Sequence, residues 1–510
     1  MNIKEAKQEI GNTLRAYLRK GEDGRYLYPL VRQRPILLMG PPGIGKTAIM
    51  EQAAAENGVG LVAYTITHHT RQSAIGLPRI ETRTYGGEAV SVTEYTLSEI
   101  VASIYDCMER TGRREGILFI DEINCVSETL APTMLQFLQN KTFGSHRIPE
   151  GWMIVAAGNP PEYNKSVREF DIVTLDRVRE IDVEADCSVW MEYAWDREVH
   201  GAILSYLSIK PDSFYLVENG PEGKRFVTAR GWEDLSELLK SYEALQVPVS
   251  RAQVIQFLQK EEVAREFAAY YQLYRKYGAD YGVDRVLSGQ LTEADYRSKT
   301  AMAAGGSFEE RFTVVNLVLD ALNESFARYA LADERVSRLH QALQICKGTL
   351  AAGEADGLAD FIRRRRRAVE IKSQAQLLPR EETGLEMWVL ERLEAYDLQL
   401  RRSHIRTGDG AMDRIRELFG EDVAARAGLV EQTSARLERA FRFVEDCFGE
   451  GQEMVLLVSG LTRNRRATAF IGEHGCESYL RRSGALLYQK REQELRRACL
   501  ELEQGFSSGE

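Results

Sequence analysis

The stretch Gly40-Pro41-Pro42-Gly43-Ile44-Gly45-Lys46-Thr47 constrains this chain more than any other. It follows a short apolar run, Ile36–Met39, and opens a helical pattern near Ala48. The G-x-x-x-x-G-K-T spacing works only between a strand and a helix. Its glycines let successive backbone N–H groups turn inward, and the helix N-terminus adds positive potential, so the loop suits phosphate oxygens. Residues Gly40 to Ala48 are therefore the expected nucleotide-binding segment, with Lys46 on the β- and γ-phosphates and Thr47 on Mg²⁺. ATP and Mg²⁺ are the expected cofactors.

Such a loop demands a parallel sheet, and the surrounding pattern supplies one. Short runs at Ile36–Met39, Leu61–Thr67, Ile117–Ile120 and Met153–Ala157 are rich in Ile, Val and Leu and lack alternation, as in strands covered on both faces. Helical periodicity lies between them, the pattern of βαβ units. Thr96-Leu97-Ser98-Glu99 reads as a capping box for a helix whose stripe is Leu97, Ile100, Val101, Ile104 and Met108, closed by Gly112.

Leu118-Phe119-Ile120-Asp121-Glu122 places two carboxylates at the C-terminal edge of that sheet, where open α/β folds bind ligands. Asp121 suits the Mg²⁺ shell, and Glu122 suits the polarisation of an attacking water. An isolated Asp-Glu pair more often only ends a strand. After a phosphate loop on a parallel strand, the catalytic reading is the stronger.

Three further segments make the chain resemble the AAA+ ATPases, in particular their MoxR-like, dynein-related branch. Val155-Ala156-Ala157-Gly158-Asn159-Pro160 is similar to the sensor-1 strand, which implies that Asn159 hydrogen-bonds the γ-phosphate or the attacking water. Leu175-Asp176-Arg177 resembles the arginine-finger segment, which implies that Arg177 reaches a neighbouring subunit's nucleotide. Arg168 and Arg179 lie close enough to compete for that role. Thr228-Ala229-Arg230 resembles sensor 2, implying an Arg230 contact from a helical lid. A lone arginine is more often a surface ion pair; the order of the segments favours the functional reading. The resemblance implies a homo-oligomer, a hexameric ring, that remodels a protein complex beside a von Willebrand A-domain partner.

The expected architecture is an α/β P-loop core with a helical lid and a helix-rich C-terminal extension. Its expected divisions are 1–32 (an N-terminal helix and connector), 33–182 (the core), 183–260 (the lid) and 261–510 (the extension). At 510 residues the chain exceeds what one hydrophobic core covers. A net charge of −10 weighs against a surface devoted to nucleic acid. Seven scattered cysteines, with no C-x-x-C pair, fit reduced thiols in the cytoplasm. No apolar run has the length of a membrane span, so membrane insertion is not expected.

Between the second strand and the capped helix, Ile80, Val90 and Val92 flank Gly86-Gly87 in a β-hairpin pattern. The run Arg363–Arg367 could grip phosphate backbones, but on a long helix it more often pairs with acidic neighbours in solvent. His68-His69 lacks a partner at metal spacing, and Asp409–Asp413 lacks the ligands of a calcium loop. The sequence also admits two rival functions: a nucleic-acid-dependent motor or restriction-type NTPase, and a nucleotide-gated scaffold, against which the intact Glu122 argues.

Overall fold

Five short strands carry the architecture: β1 (Ile36–Met39), β2 (Gly60–Thr65), β5 (Gly116–Asp121), β8 (Trp152–Gly158) and β9 (Arg179–Asp182). In this computed structural model they form one sheet in the order β2-β5-β8-β1-β9, with every pairing parallel. The structure describes residues 1–66, 76–143, 146–163, 167, 170–220, 223–351, 357–374, 380–404 and 408–484. His68-His69 and Arg168 lie outside them.

Side chains along each strand alternate between two apolar layers. Ile36, Leu38, Ile117, Phe119, Val155 and Ala157 pack with α1 (Ile3–Tyr17) and α2 (Lys46–Glu56). Leu37, Leu118, Ile120, Ile154 and Ala156 pack on the other face with the helices Glu99–Thr111 and Ala131–Asn140. Helix–sheet–helix layering explains why the central strands read as continuous apolar runs. The sheet is tight where β5 begins. A Cβ on Gly116 would lie 2.5 Å from the ring of Trp152, which is itself buried. Gly116→Ala is therefore expected to destabilise this domain by about 1–3 kcal/mol, the usual cost of overpacking. A denaturant midpoint equal to that of the wild type would contradict it.

The chain divides into two compact units, Met1–Tyr193 with Leu207–Glu266, and Ala194–Tyr206 with Phe267–Glu510. Beyond the sheet, the first unit holds a hairpin of β3 (Pro78–Tyr85) and β4 (Glu88–Tyr95), a small ribbon of β6 (Thr142–Phe143) and β7 (His146–Arg147), and a third pair, β10 (Leu216–Gly220) and β11 (Gly223–Val227). The second unit is helical, with long helices at Phe308–Ala351 and Gly408–Phe448. Its core joins Leu339, Leu358, Ile362, Leu390, Leu393 and Leu418, among others.

Four differences from the sequence expectations have physical causes. β9 reads as polar because it is an edge strand with only Ile181 buried. The segment 183–260 is not purely helical, since it contains β10 and β11. The Thr96–Glu99 capping box does not form. Thr96 Oγ1 accepts the Leu77 N–H at 2.9 Å, and Ser98 takes the N-cap position without a side-chain cap bond. Ile80 lies on the opposite hairpin face from Val90 and Val92, because it pairs with Thr93 while Val90 faces Arg83 and Val92 faces Glu81. The Gly86-Gly87 turn does close this hairpin, with φ of 59° and 93° at its two residues. That geometry matches a two-residue hairpin turn and favours glycine.

Candidate functional site

The loop after β1 bends through Gly43 and Gly45, at φ 76° and 95°, where glycine avoids the cost of a left-handed backbone. Gly40 has no room for a side chain, because a Cβ there would come within 2.6 Å of the Val183 carbonyl. Gly45 caps α2, and Lys46 and Thr47 are its first residues. The N-terminal end of a helix is thus presented at the C-terminal edge of the sheet.

Lys46 is only 8% exposed. Its Nζ donates to the carbonyls of Gly40 at 2.8 Å and Pro41 at 2.9 Å, and to Asn159 Oδ1 at 2.9 Å. Burial lowers its pKa to about 8; Arg230 pushes the same way, while Asp121 and Glu122 oppose. Arg230, exposed at the start of the helix Ala229–Ala244, thus projects positive potential onto Lys46. Thr228 caps that helix by accepting the Gly231 N–H, and it also packs against Gly43. Tyr215 OH donates to the Pro42 carbonyl at 3.1 Å and lines a cavity of about 730 Å³ together with Met1, Asn2, Asp186 and Phe214.

Asp121 ends β5, and its Oδ2 accepts the Thr47 hydroxyl at 3.1 Å. A hydroxyl and a carboxylate side by side are hard oxygen donors of the kind Mg²⁺ takes, with phosphate and water completing its shell. The residues therefore fit the metal. Among the described residues, no group of three or more His, Cys, Asp or Glu forms a separate metal cluster. Glu122 follows with φ 57° and ψ 36°, a left-handed conformation rare for a residue with a side chain. The Glu122 N–H donates to Asp121 Oδ1 at 2.9 Å, which fixes the Asp121 carboxylate against the Glu122 backbone.

Because β8 lies between β5 and β1, Asn159 emerges between the two acidic residues and the loop. Asn124, absent from the sequence-based expectations, holds it there: Nδ2 donates to the Asn159 carbonyl at 2.8 Å. The only signal in the sequence is a polar residue within the apolar run after Asp121-Glu122.

Lys46 with Asn159 and Thr47 with Asp121 thus form two hydrogen-bonded pairs, grouped because Lys46 and Thr47 are consecutive in the chain. Among the described residues, Arg177 has no hydrogen bond to that group. It follows the helical turn Ile172–Leu175, is exposed, and donates to Gln139 Oε1 at 2.6 Å. Arg179 differs in kind. It lies on β9 and donates to Glu9 Oε1 at 2.5 Å and to Thr13 Oγ1 at 2.8 Å, anchoring α1.

Strand, glycine loop, a helix N-terminus bearing the Thr47 hydroxyl, and the Asp121 carboxylate at the end of a parallel strand define a P-loop nucleoside-triphosphatase domain. Residues 35–178 match the family described as the AAA domain, dynein-related subfamily. That segment belongs to the AAA+ ATPases. No curated protein matches the chain. ATP hydrolysis, in general terms, is what an AAA domain implies; the family uses ATP, typically with Mg²⁺, and often forms rings. Among the described residues, no helix is long and apolar enough to cross a membrane.

The five-arginine run is on the helix Gly357–Gln374 of the second unit. Arg363 pairs with Asp360, Arg365 is bidentate to Glu386 at 3.0 Å, and Arg366 reaches Glu394 at 2.5 Å. Paired in this way, the guanidinium groups are partly neutralised. DNA binding by the wild type is expected to be undetectable in a gel shift, and equally so after Arg364→Gln with Arg366→Gln. A wild-type shift lost in the variant would overturn this.

Proposed function

We propose that this chain is a ring ATPase of the MoxR-like type that remodels a protein complex in the cytoplasm, working with a von Willebrand A-domain partner. The observation carrying the hydrolytic part is the pair of hydrogen bonds, Lys46–Asn159 and Thr47–Asp121, beyond the C-terminal ends of the adjacent strands β5, β8 and β1. In this reading Gly40–Ala48 cradle the phosphates, and Lys46 neutralises the β- and γ-phosphate charge. Thr47 and Asp121 hold Mg²⁺, Glu122 polarises the water, and Asn159 orients it. Arg177 comes from a neighbour, while Arg230 acts from the helix Ala229–Ala244. The metal, when bound, would supply charge neutralisation between the phosphates.

The remodelling part is supported by the match to the dynein-related subfamily and by the large helical unit beyond the ATPase domain. The ion-paired arginine run weighs against a nucleic-acid motor. Purified protein should release phosphate from ATP with Mg²⁺ and stop when the metal is chelated. Glu122→Gln loaded with ATP should retain a von Willebrand A-domain protein from native lysate. Metal-independent release would contradict the first part, and recovery of DNA instead of protein would contradict the second.

Lys46 makes this site sensitive to pH in a defined direction. Its amine is held to about 8 before nucleotide arrives. Phosphate favours the charged form, so the pKa rises on binding. Above the lower value, binding must take up a proton. Nucleotide affinity should be flat below that pH and fall as pH rises through it, approaching about tenfold per unit. Calorimetry in buffers of different ionisation heat would detect the proton; buffer-independent heats above that pH would contradict the assignment.

A further inference from the structure

Asn124 is the central residue of the turn Ile123–Cys125 that Glu122 begins, and it is 2% exposed. Its side-chain amide meets both backbone groups of Asn159: Nδ2 donates to the carbonyl at 2.8 Å, and Oδ1 accepts the N–H at 3.3 Å. The β5–β8 ladder ends at Ile120↔Ala156, so this one side chain continues the link between the two strands past their last paired residues. The fit is close. A Cβ on Gly158 would stand 2.9 Å from Asn124 Oδ1 and 2.9 Å from Met39 Sδ. Beyond it, Asn159 Oδ1 accepts from Lys46 Nζ at 2.9 Å. An amide whose oxygen is taken by a lysine has its N–H donors to offer a phosphate oxygen or a water.

We infer that Asn124 is a positioning residue for ATP hydrolysis, which fixes the Asn159 amide against the turn that bears Glu122. The inference rests on the ATPase reading above. The physical reason is that Glu122 and Asn159 leave from different strands, yet both must address one water and one phosphate. Backbone pairing has ended at that point. Without the Asn124 clamp, Asn159 and Glu122 can move independently, and a misplacement of about 1 Å costs on the order of 10² in rate. Binding suffers less, because the loop and Lys46 hold the phosphates.

The test is a kinetic double-mutant cycle on the full chain. Asn124→Ala should lower kcat about 10²-fold, while KM and the affinity for ADP change only a few-fold. Asn124→Ala with Asn159→Ala should be no slower than Asn159→Ala alone, since a residue acting through another adds nothing once that other is gone. Asn124→Asp keeps the acceptor for the Asn159 N–H and loses the donor to its carbonyl. It should lie between wild type and Asn124→Ala, and it carries the cycle if the alanine variant does not fold. Rates are expressed per nucleotide-binding site, titrated with labelled ADP. Multiplying effects would overturn the inference, as would a loss that vanishes when rates are expressed per site. A wild type without turnover would overturn the ATPase reading itself, whereas an active wild type with independent mutants overturns the clamp alone.

Discussion

Arg177→Ala is expected to bind ATP almost normally and to hydrolyse it 10³–10⁵ times more slowly, the usual contribution of an arginine finger. Arg177 is exposed and lacks any hydrogen bond, among the described residues, to the Lys46 group; its hydrogen-bond acceptor is Gln139. A guanidinium placed in this way is available to a neighbouring molecule. Arg179, committed to Glu9 and Thr13, is not. Specific activity of the wild type should accordingly rise with protein concentration as rings assemble. Mixing Arg177→Ala with Lys46→Ala subunits should restore partial activity, because an interface pairing an intact Lys46 with an intact Arg177 then exists. Co-assembly without any restored activity would place the Arg177 effect within its own subunit.

Glu122→Gln is the second large effect. The amide keeps the shape of the side chain and makes no new demand on the left-handed backbone at φ 57°. It cannot polarise a water as a carboxylate does, and losing such a base typically costs ~10²–10⁴ in rate. Nucleotide binding should persist, since the loop and Lys46 are untouched. The comparison is best made near pH 7. Glu122 helps keep Lys46 protonated, and its loss would lower the amine's pKa further. Measured affinity and kcat together decide the matter, and a variant with normal kcat would remove Glu122 from the chemistry.

Much of this domain is legible in the sequence because the deciding forces are local or periodic. The three central strands β5, β8 and β1 announce themselves by near-continuous burial, and the Gly86-Gly87 turn announces its hairpin. The grouping of Lys46, Thr47 and Asp121 is legible as well, since a glycine loop and an acidic strand end have one common geometry in a parallel sheet. What is hidden depends on contacts between distant segments. Thr96 fits the local pattern of a cap, yet its hydroxyl is taken by Leu77. β9 buries one apolar side chain, so its pairing with β1 leaves almost no trace in composition. Arg177 and Arg179 look equivalent along the chain and are separated only by what each touches. Asn124 is the clearest case. Its partner lies 35 residues away on a strand that becomes adjacent only through the order β5-β8-β1.

This chain is expected to turn over ATP at the site organised by Lys46. Phosphate release from Mg²⁺-ATP, measured for the wild type and for Lys46→Ala at the same protein concentration, tests it most directly. Steady turnover in the wild type, with loss of both nucleotide binding and phosphate release in the variant, is the predicted result. Equal rates in the two proteins would contradict it.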